Sequence, residues 1–174
     1  MRLVSVNARR AHDDPITDEV HVALFQFEHP DLDAPVRLST DPGERISTDP
    51  LRYGTRSRWN GADPATEPYW FVLVSAEIPG DLEDAPASAT LVLENVSNDI
   101  AATLRSFTTR PTVHMAVVLA ASPDIVEQEY RGMVVPGAEG DAGQVVISIS
   151  RDPIEQEQVP MDRMTKDRFP GLHR

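Results

Sequence analysis

Val20-His21-Val22-Ala23-Leu24-Phe25-Gln26-Phe27 is the stretch on which the reading of this chain turns. Successive side chains of an extended strand point to opposite faces. Val20, Val22, Leu24 and Gln26 therefore share one face, and His21, Ala23, Phe25 and Phe27 the other. Both faces are largely apolar, as in a strand buried on two sides within a sandwich or barrel core. Glu28-His29-Pro30-Asp31 ends the run, because proline cannot donate to a ladder and aspartate favours turns.

Working outward, Val36 to Ser39 and Arg45 to Thr48 flank Asp41-Pro42-Gly43 and predict a short polar hairpin. Asp49 to Pro68 holds Pro50, Gly54, Gly61, Pro64 and Pro68 with few aliphatic residues, which predicts a long loop of the kind that carries interactions or is disordered. Tyr69 to Ile78 reads as a strand ending at Pro79-Gly80, and the acidic linker Asp81 to Pro86 follows. Ala89 to Leu93 is extended. From Asn98 the residues Ile100, Leu104 and Phe107 recur at helical spacing, with Asn98 as cap and Asp99 in the first turn, so one short helix is expected there.

Thr112 to Ala120, Ile125 to Val135 and Val145 to Ser150 are joined by Ser122-Pro123-Asp124 and by the acidic glycine-rich segment 137–143. They predict an antiparallel meander with Val145, Ile147 and Ile149 on one face. The last segment is polar and irregular, with apolar residues at Ile154, Val159, Met161, Met164, Phe169 and Leu172. It cannot build a core of its own. It is either a disordered end or an extended arm that docks these six residues on another subunit. The expected fold is mostly β: a small antiparallel β-barrel or sandwich, in one piece or two halves, with one short helix and an extended C-terminal arm. Residues 1–152 form the β-rich domain, with a sub-division near 95–110, and residues 153–174 form the arm.

The chain has 174 residues and a formal net charge of −12. Nucleic-acid binders need a basic stripe to displace counterions, so nucleic acid is not an expected partner. Arg52, Arg56 and Arg58 are the one local basic group and read as a solvated loop. The absence of cysteine removes disulfides, thiolate nucleophiles, cysteine-ligated zinc and iron–sulfur clusters. Met1 to Arg10 lacks the apolar run of a signal peptide, and no stretch approaches the roughly 20 apolar residues of a membrane span. A chain made in the cytoplasm and not inserted in a membrane is expected.

His12-Asp13-Asp14 and His29-Pro30-Asp31-Leu32-Asp33 set imidazoles beside carboxylates, but without the spacing of recurring metal sites. His21 and His114 read as packed strand residues. There is no Gly-x-Ser-x-Gly elbow, and an acidic 137–143 segment is unsuited to cradling phosphate. Glu83-Asp84 and the alternating Glu127 and Glu129 read as solvated faces. No catalytic, cofactor-binding or metal-binding residue is assigned, and no enzyme is expected. Tyr69, Trp70 and Trp59 leave open a module that stacks on carbohydrate, the deciding feature being an exposed Trp59 in a shallow groove.

Several segments in order carry a resemblance: Thr17-Asp18-Glu19-Val20 entering the first strand, Glu28-His29-Pro30-Asp31-Leu32, Pro35-Val36-Arg37 and Ala89-Thr90-Leu91-Val92-Leu93-Glu94-Asn95-Val96. Ile100-Ala101-Ala102-Thr103-Leu104-Arg105-Ser106, Pro111-Thr112-Val113, Val117-Val118-Leu119-Ala120 and Asp167-Arg168-Phe169-Pro170-Gly171-Leu172 continue it. The chain resembles a family of minor tail proteins of long-tailed bacteriophages and related prophages. The resemblance implies a structural virion protein at the tail tip: a baseplate hub subunit, homotrimeric, joining the end of the tail tube to the central fibre protein. It implies the distal-tail ring, the central fibre protein and the tape-measure protein as neighbours. The alternative within the family is a hexameric distal-tail ring subunit. Related hub proteins hold an iron–sulfur cluster through cysteines, which this chain lacks, so no cofactor carries over.

Overall fold

The structure, a computed structural model, describes residues 4–76, 88–94, 109–140, 144–150 and 171. Its α-helix, α1 (Val6–Asp13), starts at Ser5, whose hydroxyl accepts from the Ala8 N–H at 3.0 Å. The strands are β1 (His21–Glu28), β2 (Val36–Ser39), β3 (Glu44–Thr48), β4 (Leu51–Thr55), β5 (Tyr69–Phe71), β6 (Leu73–Ala76), β7 (Ser88–Glu94), β8 (Thr112–Leu119), β9 (Ser122–Gly140) and β10 (Gln144–Ser150). They form one sheet in the order β3-β4-β5-β2-β1-β8-β9-β10-β7-β6.

The mostly β class with one short helix is therefore correct, and the details depart from expectation in instructive ways. The helix of the described residues is α1, which the sequence reading passed over, whereas the helix expected at 98–107 lies outside the described residues. So do the linker 81–86 and, apart from residue 171, the arm 153–174. Among the described residues there is one sheet rather than a sandwich, and its ladder is not closed into a barrel. It is also mixed: β2 and β5 run parallel, pairing Leu38 with Trp70 and Ser39 with Phe71.

A chain break in regularity explains the curl. The expected strand 69–78 divides at Val72, so the third and the tenth strands of the ladder are separated by one residue. The sheet has to bend round on itself to satisfy both sets of partners. Inside the bend lies the main core: Phe25, Phe27, Leu38, Val72, Leu91, Val113, Met115, Met133, Val145, Ile147 and Ile149 are among its buried residues. Val145, Ile147 and Ile149 do share the inward face, as their alternation requires.

On β1 the two apolar faces are both covered. Phe25 and Phe27 face the main core, while Val22 and Leu24 join Ala116 and Val118 of β8 in a second cluster on the other side of the sheet. β1 and β8 pair antiparallel over their full lengths, from His21 against Leu119 to Glu28 against Thr112. The meander β8-β9-β10 is present, with Ala120 and Ala121 at its first turn and Ser122-Pro123-Asp124 already in β9.

The polar hairpin expected across 41–43 does not form. β2 pairs with β1 and β5, and β3 pairs instead with β4. Arg37, Leu38 and Ser39 are buried, so β2 is an interior strand. The reason is local: Asp41 uses its carboxylate to accept from the Gly43 N–H at 2.9 Å, an internal turn that leads the chain away rather than back along β2. The tight reversal comes later, at Asp49-Pro50 between β3 and β4.

Gly54 is required by this packing. A Cβ at that position would meet the Tyr69 carbonyl oxygen at 2.0 Å, a backbone atom that cannot step aside. Gly54→Ala should therefore destabilise the fold by about 1–3 kcal/mol, the usual cost of overpacking. The check is the midpoint of urea unfolding, with the unfolding slope unchanged.

Candidate functional site

The second apolar cluster needs a lid, and segment 56–68 supplies it. Ser57 is buried and its hydroxyl donates to the Pro123 carbonyl at 2.6 Å, while the Arg58 N–H donates to Asp124 Oδ1 at 2.7 Å. These two bonds pin the segment to the start of β9. A short 3-10 turn, Trp59–Gly61, then presses Trp59 and Ala62 against Val22, Leu24, Tyr69, Ala116 and Val118. Asn60 and Gly61 both take positive φ, 52° and 78°, which reverses the chain sharply. The long loop expected from 49 to 68 is thus part strand and part apolar cover.

Around the edge of that cover runs a polar network. The Trp59 indole N–H donates to Glu129 Oε1 at 2.7 Å, and Arg131 approaches the same oxygen at 2.7 Å. Arg131 also donates to Asn60 Oδ1 at 3.0 Å. Glu28 accepts from Gln26 at 2.8 Å and from Asn60 at 3.4 Å, and its other oxygen lies 3.7 Å from His114 Nε2. The Gly132 N–H donates to His114 Nδ1 at 3.2 Å, so the neutral imidazole carries its proton on Nε2, toward Glu28. Beneath, the Tyr69 hydroxyl donates to the Trp59 carbonyl at 2.8 Å, and Arg37 reaches Gln26 at 3.3 Å and Glu67 at 3.3 Å.

A β-bulge aims these groups. On β9 Tyr130, Met133 and Val135 all enter the main core, although residues 130 and 133 would point to opposite faces of a regular strand. Opposite His114, between the pairs Val113–Met133 and Met115–Tyr130, β9 carries both Arg131 and Gly132, and Gly132 has φ 64°. The extra residue restores the inward parity of Met133 while leaving Glu129 and Arg131 outward, against Trp59 and Asn60.

Partial burial pulls the Glu129 carboxyl upward, but the hydrogen bonds from Arg131 and Trp59 outweigh it and hold its pKa below the ordinary carboxylate value. Its contribution to stability is present above that range and fades as the pH falls through it. Burial pushes the Tyr69 phenol up to about 12, against the opposing pull of Arg37.

The residues singled out in the sequence fall as follows. Trp59 and Tyr69 are 5% and 0% exposed, so they form no stacking surface; Trp70 is half-buried with the Arg52 guanidinium 5.2 Å over its ring. Glu129 and Glu127 are engaged rather than freely solvated, since Glu127 accepts from the Ser5 N–H at 2.9 Å. His29 is buried, with Nε2 at 2.6 Å from Thr109 Oγ1 and Nδ1 accepting from the Asp31 N–H at 3.1 Å. The rings of His12 and His21 lie 5.6 Å apart. Among the described residues no group of three or more histidines and carboxylates is placed to hold a metal, and no helix is long and apolar enough to cross a membrane. The six suspected contact residues from Ile154 to Leu172 lie outside the described residues. Asn60, Arg131 and Gly132 were not singled out; a lone glycine inside a strand pattern was the available signal for the bulge.

What this network does is tie the lid to the sheet. Arg131 matches Glu129 and Arg37 matches Glu67, while Glu28 is held by the amides of Gln26 and Asn60. Compared with known protein families and with curated proteins, the chain matches none.

Two measurements check the network. Trp59→Phe keeps most of the packing and deletes the indole donor, and it should cost about 1–3 kcal/mol in chemical unfolding by leaving Glu129 short of a partner. For Tyr69 the folded phenol holds its proton to about 12, while the unfolded one releases it near 10. The stability it contributes is intact below that lower value and is lost as the pH rises toward the upper one. Ultraviolet titration should show a late-ionising phenol that is lost in Tyr69→Phe.

Proposed function

We propose that this chain is a structural subunit of a larger assembly, a bacteriophage tail-tip protein acting as a baseplate hub component between the tail tube and the central fibre protein. The observation that carries the reading is the pair of open ladder ends. Among the described residues β3 pairs only with β4 and β6 only with β7. Leu51 and Tyr53 are exposed beside one end and Leu73 on the other. Unpaired edges with apolar side chains are costly to leave in water and are met by pairing or docking with another chain. Rings and trimers satisfy such surfaces without residue. The sequence resemblance to minor tail proteins supplies the identity of the assembly, and an acidic chain suits a channel that DNA passes without adhering.

Light scattering on the purified chain tests the reading. A homotrimer is expected, with a hexamer as the distal-tail ring alternative, and deletion of residues 153–174 should lower the mass. A folded monomer both with and without these residues would overturn self-assembly through the arm.

A further inference from the structure

His114 stands inside the network that fastens the lid, opposite Gln26 of β1 on one side and the β9 bulge on the other. Its side chain is 15% exposed, so water reaches it. Histidine is the side chain that ordinarily changes charge between about pH 5 and 8. From β1 Glu28 faces the ring, with Arg37 of β2 beyond Gln26. From β9 Glu129 and Arg131 face it, and the lid contributes the neutral Asn60. β8 itself carries no other charged residue. In the neutral ring Nδ1 accepts from the Gly132 N–H at 3.2 Å, and Nε2 points its proton at Glu28 Oε2 across 3.7 Å, too far for a hydrogen bond.

A second proton goes onto Nδ1, where it meets the Gly132 N–H, donor against donor. The bulge loses that bond, and Arg131, the residue before Gly132, gains a like charge beside it. At the other nitrogen the imidazolium draws Glu28. Closing the gap from 3.7 Å to the roughly 2.8 Å of a charge-assisted hydrogen bond moves the carboxylate by about 1 Å. The same carboxylate holds the Asn60 amide at 3.4 Å, already near the limit of a hydrogen bond, so this is the contact that gives way. The sign follows from what differs between a closed and an open lid. Glu28, Glu129, Arg131 and Gly132 belong to the sheet and stay beside His114 in both. Asn60 belongs to the lid, and in the closed state it engages Glu28 and holds Arg131 at 3.0 Å. The open lid therefore binds the proton more tightly, and lowering the pH shifts the population toward it.

We propose that His114 is a proton-operated release for the lid: its protonation transfers Glu28 from Asn60 to the imidazolium and frees the Asn60 end of segment 56–68 from the sheet. Trp59 is the adjacent residue and moves with it, and water gains access to Val22, Leu24, Ala116 and Val118 beneath. The device is built from one chain and does not depend on the assembly reading.

Two titrations of the full chain between about pH 8 and 5 test it. In NMR spectra the His114 ring, the Gly132 amide and the Asn60 side-chain amide should shift with one common midpoint. In Trp70→Phe, which leaves Trp59 as the sole tryptophan, the acrylamide quenching constant should rise at least about twofold across that midpoint, as expected for local opening. His114→Asn in the same background keeps an acceptor near the Gly132 N–H and cannot take up the proton, so its quenching should hold the high-pH value throughout. Quenching that ignores pH, that rises equally in His114→Asn, or that follows the midpoint of His29 instead would overturn the release. The NMR titration needs no substitution and decides the matter if Trp70→Phe does not fold: Gly132 and Asn60 signals that do not follow the His114 midpoint overturn it as well.

Discussion

Two-sided burial of the β1–β8 ladder is the constraint from which the rest of this structure follows. A strand with Phe25 and Phe27 on one face and Val22 and Leu24 on the other cannot rest on a single layer. The sheet answers on the inside by bending until β7 and β10 lie across from β1. On the outside, among the described residues, the cover comes from segment 56–68, with Trp59 as its main apolar weight. Everything polar in the neighbourhood serves that cover: Glu129, Arg131, Asn60, Glu28 and Tyr69 hold the edge of a lid that apolar contact alone would leave free to slide.

Parity links the two layers. The bulge at Gly132 lets one strand send Tyr130 and Met133 inward and still present Glu129 and Arg131 to the lid. Without the additional residue, either the core would lose Met133 or the network would lose its arginine. The carboxylates of this face are therefore best understood as fastenings, Glu129 through Arg131 and Trp59 and Glu28 through Gln26 and Asn60.

The fold is legible in the sequence where a single period decides the matter. The double apolar pattern of Val20 to Phe27 and the alternation at Val145, Ile147 and Ile149 each translated directly into burial. It is not legible where a long-range partner decides. Val36 to Ser39 looks polar and local, yet Leu38 is buried because β1 and β5 flank it. The division of the strand at Val72 has no local signal, since a valine fits a continuous strand equally well. Trp59 sits among prolines and glycines, surroundings typical of a loop, and only the uncovered Val22 and Leu24 some distance away give it a burial site. The short helix at the start carries a serine cap, but one buried residue, Ala8, leaves almost no apolar stripe to detect.

The pairing of His21 with Leu119 also sets a timetable. β1 is synthesised before its central partner, which emerges about 90 residues later, an interval on the order of 5–20 s at ordinary rates of translation. For that time β1 has only the short β2 as a ladder partner, and neither β8 nor the core. Ladders of such sequence separation form slowly even in the finished chain, because closing the intervening loop costs entropy before any contact rewards it. Two-sided burial of β1 is therefore completed only when β8 has been made.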